Sequence, residues 1–474
     1  MTDQIIVSND LQRIFKAQQA NRFNVANTSP KERIAKLKKL HEAVLRYRQE
    51  IRDAMYADFK KPEGEVDLVE IYPVTSEIKH AVKNLKFWLQ SKSVDTPMAL
   101  MGTSSYIQPE AKGVCLIISP WNFPVNLTIN PLVSAIAAGC CCIVKPSEMT
   151  PNTAAVLKKI ISELFDENEI ALVEGDVNVA SDLLKLPFNH IFFTGAPSIG
   201  KVVMRAAAEH LTSVTLELGG KSPVIVDETA NLDAAARRVV AGKYTNCGQI
   251  CVAPDYVFVH ESKKDEFIGL IKKYVSKFYG DSDDARKAGD YTRMVNTRHY
   301  NRVKSYLDDA ILRGAKLELG GVMDETSNYI PPIVLTNVNQ DMLVMQEEIF
   351  GPILPIKTFT NLSESISYIN QYEKPLALYI FSTSKKNQEL ILKNTSAGGV
   401  TVNDVALHFY NGELPFGGVN NSGIGKSHGY FGFKEFSNEK AVLKQHLPKA
   451  GIELMYPPFT KGVKRMIDLT IKWL

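Results

Sequence analysis

The sequence predicts an α/β protein whose centre is a doubly wound parallel sheet, with a second α/β lobe after it. Three observations point there. Beyond Gly113, short unbroken apolar runs alternate with helix-length amphipathic stretches, as parallel strands covered on both faces do. The alternation starts again after Gly220. Finally, 474 residues, 45% of them hydrophobic, exceed what a single core usually holds, so two or three lobes are expected.

In chain order, the opening third reads helical. Residues 31–58 set Ile34, Leu37, Leu40, Val44 and Leu45 at helical spacing between basic residues. Residues 114–118 (Val-Cys-Leu-Ile-Ile) then predict a buried strand stopped by Ser119 and Pro120. A helix over 130–138 follows, with Gly139 as its stop, and a strand over 140–144. A helix over 153–164, strands over 170–173 and 190–194, and a helix over 198–209 complete the first series. The second begins with a strand over 223–226, a helix over 233–241 and a strand over 256–259. Connections of this length make a right-handed parallel sheet, and such sheets bind ligands beyond the carboxyl ends of their strands.

Composition excludes several functions. There are 55 Lys+Arg against 52 Asp+Glu, a net charge of +3, too little for a protein whose main partner is nucleic acid. Six cysteines, three of them adjacent at 140–142, do not form a secreted disulfide framework and suit a reducing compartment. The first residues show no export signal, and the longest apolar stretch, 132–144, is shorter than the roughly 20 residues a membrane span needs. The expectation is a soluble, cytoplasmic protein. No Cys/His cluster has metal-ligand spacing, so no metal is expected.

The strand ends carry the candidate chemistry. Residues 195–201 match G-x-x-x-x-G-K, but Val202 stands where a nucleoside-triphosphatase needs Ser or Thr for magnesium. A helix N-terminus facing a dinucleotide pyrophosphate fits better, and a plain strand-to-helix turn stays open. Cys251 follows a Gly-Gln turn; alone it reads as a nucleophile or as an inert small apolar residue, with Cys247 as a conceivable redox partner. Cys115 and Cys140 to Cys142 read as core. Glu217, flanked by Leu216 and Leu218, is either a general base with a raised pKa or a carboxylate tied to backbone amides. Asn122, between Trp121 and Phe123, is either an oxyanion donor, worth about 3–4 kcal/mol in a transition state, or a turn residue beside Pro124.

Taken together, seven motifs in one order resemble the NAD(P)-dependent aldehyde dehydrogenase superfamily. They are Pro-Trp-Asn-Phe-Pro at 120–124, Lys-Pro-Ser-Glu at 145–148, Phe-Thr-Gly at 193–195 and Leu-Glu-Leu-Gly-Gly-Lys at 216–221. Gly-Gln-Ile-Cys at 248–251, Glu-Glu-Ile-Phe-Gly-Pro at 347–352 and Leu-Pro-Phe-Gly-Gly at 414–418 complete the set. The short N-terminal arm, Val-Asn-Asp at 402–404 leading into His408 and Phe409, and Tyr-Pro-Pro-Phe at 456–459 resemble the class 3-like branch of fatty- and coniferyl-aldehyde enzymes.

The resemblance implies a Rossmann-like NAD(P)-binding domain over 1–96 and 110–219 and a catalytic domain over 220–415. It also implies bridging strands over 97–109 and 436–446 that build a homodimer, and a C-terminal tail over 456–474. It makes Cys251 the nucleophile that forms a thiohemiacetal, Asn122 and the Cys251 N–H its oxyanion donors, and Glu217 the base that hydrolyses the thioester. Hydride leaves for the nicotinamide. Lys145 and Glu148 are implied at the adenosine ribose, Glu348 at the nicotinamide ribose with Phe350 beside it, and Trp121 between cofactor and substrate. Gly195, Ser198 and Gly200 belong to the pyrophosphate turn, where Ala196 and Pro197 replace the family's small polar pair. Glu148 favours NAD by repelling a 2′-phosphate, with NADP left open. The implied substrate is a small-molecule aldehyde, lipophilic and of medium or long chain, aromatic or polyene. Acyl transfer to coenzyme A, a cysteine hydrolase or esterase, and a non-catalytic nucleotide-binding scaffold are the alternatives.

At the end of the chain, Val463, Met466, Ile467, Thr470, Ile471 and Leu474 share one helical face, while Lys464, Arg465, Asp468 and Lys472 face away. Three occupants of that stripe are open: the protein or its dimer mate, the substrate funnel, or peripheral contact with a membrane.

Overall fold

A computed structural model describes residues 8–280, 291–448 and 451–473. The chain opens with helices Asn9–Ala26, Pro30–Arg46, Arg48–Phe59 and Tyr72–Trp88. The stretch read as one helical run, 31–58, is two helices broken at Tyr47, whose ψ of 5° leaves the helical range. Ser29 starts the first through a capping box with Glu32. Leu37, Leu40 and Val44 are buried as the spacing predicts, whereas Leu45 is exposed.

Six strands form the first sheet, in the order Gly423–Ile424, Ser213–Leu218, His190–Gly195, Val114–Ile118, Cys141–Lys145, Ile170–Leu172. Five are parallel; the Gly423–Ile424 edge, which comes from far along the chain, runs antiparallel against Leu216 and Glu217. Cys115 and Ile117 pack into one core with Leu132 and Val133, and Val114 and Leu116 into another with Leu11, Ile14 and Phe15. Burial on both faces is why these strands read as continuous apolar runs. Cys115 and Cys140 to Cys142 are fully packed there.

Register brings the motifs together. Ile118 pairs with Lys145 and with Phe193, and Gly195 pairs with Leu218. The residues after these strands therefore leave the sheet along one edge, the carboxyl edge where a doubly wound sheet binds its ligand. The helix expected over 130–138 begins earlier, as Asn126–Ala138, and carries Pro131 inside it.

Seven strands form the second sheet, in the order Lys316–Leu319, Ile333–Thr336, Ile353–Phe359, Tyr256–His260, Pro223–Val226, Ala377–Phe381, Gly399–Val402. All are parallel except the Lys316–Leu319 edge. A third, antiparallel sheet joins Lys92–Val94, Thr103–Ala111 and Ser437–Gln445; the latter two pair without interruption from Ser437↔Ala111 to Gln445↔Thr103. Residues 98–100, inside the stretch expected to bridge, form a 3-10 turn.

The tail is helical over Lys461–Trp473 and packs on the short helix Gly451–Met455. Of its predicted stripe, Val463, Ile467 and Thr470 are half-buried, while Ile471 is 78% exposed. Leu474, the last stripe residue, lies outside the described residues. No described helix is long and apolar enough to cross a membrane.

Candidate active site

A cleft of about 960 Å³ opens at the carboxyl edge of the first sheet and is closed from the other side by the second lobe. Eight of the residues singled out in the sequence line it: Trp121, Asn122, Gly195, Ser198, Glu217, Cys251, Glu348 and Phe350. Three do not. Lys145 and Glu148 stand at the end of the neighbouring strand, where the buried Lys145 ammonium donates to Glu148 at 2.8 Å. Gly200 lies behind the turn, where a side chain would meet Leu218 Cδ2 at 2.8 Å, so it serves close helix-to-strand packing.

Cys251 follows a turn with unusual backbone geometry. Asn246, Cys247 and Gly248 have φ of 55°, 53° and 72°. At Gly248 a Cβ would fall 2.3 Å from the Gly351 carbonyl oxygen, so glycine alone fits. Gln249 anchors the turn: its side-chain amide donates to Asn246 O (2.9 Å) and Arg293 O (3.1 Å), and its Oε1 accepts the Val295 N–H (3.1 Å). Burial, reinforced by the charges of Glu348 and Glu217, pushes the Cys251 thiol up to about 12, while its own N–H and that of Val252 pull the other way. Cys247 is buried against Tyr291 and Met294, away from the cleft.

Glu217 is the penultimate residue of the strand Ser213–Leu218 and is 6% exposed. Among the described residues, neither of its carboxyl oxygens has a hydrogen-bond partner. Burial raises its pKa to about 8, tempered by the nearby Ser427 hydroxyl, whose own hydrogen bond goes to Phe416 O, and by the Lys426 charge. Asn122 sits in the loop after Val114–Ile118, and its side-chain amide donates to Gln249 O at 3.0 Å, which ties it to the cysteine turn.

Glu348 is held at the mouth of the same space. A Cβ on Gly219 would lie 2.2 Å from its Oε2, so the missing side chain lets the carboxylate rest on the backbone. Its Oε1 is buried without a partner among the described residues, and burial together with Asp255 raises its pKa to about 7. The segment is braced by Lys221, which donates to Asp255, Val344 O (2.8 Å) and Glu347 O (2.8 Å). Asp255 in turn accepts the Ile349 N–H at 2.9 Å. Phe350 meets Trp121 edge-on at 5.5 Å, and Trp121 also packs on His299 at 4.9 Å.

The cleft also contains Lys201, together with four residues that the sequence motifs did not mark: Arg205, Arg298, His299 and Arg302. Lys201 was visible as the lysine of G-x-x-x-x-G-K, and Arg205 lies one turn further along the same helix. His299, whose pKa burial lowers to about 4, stands on a helix without any motif.

The geometry suits a dinucleotide. The helix Pro197–Ala208 begins at Ala196, which brings no capping side chain and leaves the amide end bare where it lines the cleft. The unpartnered Glu348 oxygen is an acceptor awaiting a donor. Those residues fit NAD(P).

Comparison with known proteins agrees. The model of the aldehyde dehydrogenase family matches residues 6–442. The chain is 46% identical over 437 residues to the 4,4'-diaponeurosporen-aldehyde dehydrogenase of Staphylococcus aureus, covering 92% of this chain and 94% of that one. It is 44% identical over 427 residues to aldehyde dehydrogenase family 3 member A2 of Pongo abelii, covering 90% and 87%. Among solved structures, substrate-bound AldH of Staphylococcus aureus superposes with a TM-score of 0.92 at 43% identity, covering 97% of this chain and 99% of that one. An NAD+ complex of a Mycobacterium tuberculosis aldehyde dehydrogenase gives 0.84 at 28% identity, covering 93% and 90%. From the seven ordered motifs, the shared cleft and these matches, the chain belongs to the aldehyde dehydrogenase family, in its class 3-like branch.

Proposed function

We propose that the protein oxidises a lipophilic aldehyde to its carboxylic acid with NAD(P), through a covalent intermediate on Cys251. The observation that carries the reading is the single cleft lined by a thiol, an unpartnered buried carboxylate and a side-chain amide. The sulfur reacts as thiolate, the thiol proton passing to solvent water, so this half of the reaction does not call on Glu217. The sulfur then bonds the carbonyl carbon, and the oxygen gains a negative charge opposite Asn122 Nδ2 and the Cys251 N–H.

Bound NAD(P) supplies the hydride acceptor that aldehyde oxidation requires. Trp121, Phe350 and Glu348 would hold its nicotinamide end, Gly195 and Ser198 with the bare helix terminus its pyrophosphate, and Lys145 and Glu148 its adenosine end. Gly200 supports that turn from behind. In the second half Glu217 takes a proton from water, whose oxygen attacks the thioester carbon; the C–S bond breaks and the thiol is restored. Apolar walls from Leu127, Phe409 and Phe416, and the polyene aldehyde named for the Staphylococcus aureus relative, support a lipophilic substrate. The test is absorbance at the reduced-nicotinamide band with an aldehyde series of rising chain length and NAD or NADP. Turnover of long aldehydes supports the reading; no signal with any aldehyde overturns it.

The dimer belongs to the same proposal. The three-stranded sheet has open outer edges and exposes Val94 and Leu443, so it suits pairing with a second copy. The exposed Met466, Leu469, Ile471 and Trp473 of Lys461–Trp473, beside Lys464, Arg465 and Lys472, support peripheral membrane contact of an otherwise cytoplasmic enzyme.

A further inference from the structure

Behind the cleft the chain buries a charge cluster that the chemistry above does not use. Lys61 and Glu70 are both fully buried. The Lys61 ammonium donates to Glu70 Oε1 at 3.0 Å and to the Asn122 carbonyl at 3.2 Å. Glu70 Oε2 accepts the N–H groups of Val125 (3.2 Å) and Asn126 (2.8 Å), the residues that end the Asn122 loop and start its helix. On the other side, Glu65 Oε1 accepts the Asn246 N–H (3.0 Å) and the Thr292 hydroxyl (2.9 Å). Asn246 closes the circuit, since its side-chain amide donates to Asn122 O and Gln249 O, each at 3.0 Å.

Two features say that this cluster serves geometry. A buried ion pair is seldom more stabilising than apolar residues of the same volume, so stability alone does not account for it. Glu70 also lies in a π-helical turn, Asp67–Ile71, a local widening frequent at functional sites. Its neighbour across the circuit, Asn246, holds a left-handed φ of 55° that needs surrounding contacts to persist. Burial raises the pKa of both Glu65 and Glu70, while the Lys61 charge pulls each the other way.

We propose that Lys61, Glu65 and Glu70 are positioning residues: they lock the Asn122 loop to the Asn246–Cys251 turn, so that the Asn122 amide and the Cys251 N–H converge on one oxyanion. This rests on the reading of Asn122 as an oxyanion donor.

The experiment compares Glu70→Gln and Lys61→Met, each alone and in an Asn122→Ala background. The readouts are kcat for aldehyde oxidation, NAD affinity, and the rate at which iodoacetamide alkylates Cys251. Alkylation needs the thiol but no oxyanion pocket. Each single variant should lose about 10²-fold in kcat, as a misplaced catalytic group does, with NAD affinity and alkylation unchanged. Neither should lower kcat further once Asn122 is alanine. Single variants with full kcat, or losses that multiply with Asn122→Ala, overturn the proposal. If Asn122→Ala itself keeps full activity, the oxyanion reading fails first, and that result is distinct. Should either variant not fold, Glu65→Gln reaches the same circuit through Asn246 and is expected to lose the same factor; full kcat there overturns the proposal equally.

Discussion

Replacing Glu217 by glutamine should stop turnover yet stabilise the protein, and more so as the pH rises. The carboxyl is buried, its oxygens have no hydrogen-bond partner among the described residues, and its pKa is raised from 4.5 to about 8. A folded pKa above the unfolded one means the folded chain binds the extra proton. The favourable contribution is complete below about 4.5 and is lost as the pH climbs through about 8. At about 1.4 kcal/mol per pH unit, ionising this group in place costs about 5 kcal/mol at most. Of that, about 3 kcal/mol accrues between roughly pH 5.5 and pH 8.5. Glutamine fills the same volume and never ionises. Equilibrium denaturation of both proteins at those two pH values should show Glu217→Gln gaining stability relative to the parent by about 3 kcal/mol. With aldehyde and NAD, the variant should release one equivalent of reduced nicotinamide and then stall, steady-state kcat falling by about 10²–10⁴-fold. A stability difference that does not change with pH would refute the buried, raised carboxyl. Unchanged steady-state turnover would refute its role as base.

Other substitutions probe the remaining parts. Gly248→Ala forces a side chain to 2.3 Å from the Gly351 carbonyl at a φ of 72°; a loss of about 1–3 kcal/mol with near-complete loss of activity is expected, read by thermal midpoint and rate. Glu148→Ala removes the charge opposed to a 2′-phosphate, so kcat/KM with NADP should rise several-fold relative to NAD; an unaltered ratio would remove Glu148 from cofactor choice. Deleting residues 460–474 should impair long-chain aldehydes more than short ones, and equal losses on both would count against a role for the tail in lipophilic substrates.

Much of the site was legible because it follows strands. Asn122, Gly195 and Glu217 are placed by parallel register, and a short apolar run followed by polar residues announces that geometry in one dimension. Lys61 and Glu70 were not legible. The run Lys60-Lys61-Pro62-Glu63-Gly64-Glu65 reads as a solvated charged surface, and only the contact with Asn122 shows that Lys61 is inside. The break at Tyr47 was hidden for another reason: one residue departs from helical geometry with neither Gly nor Pro to mark it. The start of the helix at Asn126 was masked by Pro131, which normally ends helices. The antiparallel edge Gly423–Ile424 pairs with a strand some two hundred residues away, which local periodicity does not encode.

The most direct measurement uses Glu217→Gln as a trap. Mixed with aldehyde and NAD, quenched in acid and digested, the protein should carry one acyl group, of the mass of the aldehyde less a hydrogen atom in place of the thiol hydrogen, on the peptide containing Cys251. An acyl group on any other residue, or an unmodified Cys251 after reduced nicotinamide has appeared, would contradict the account.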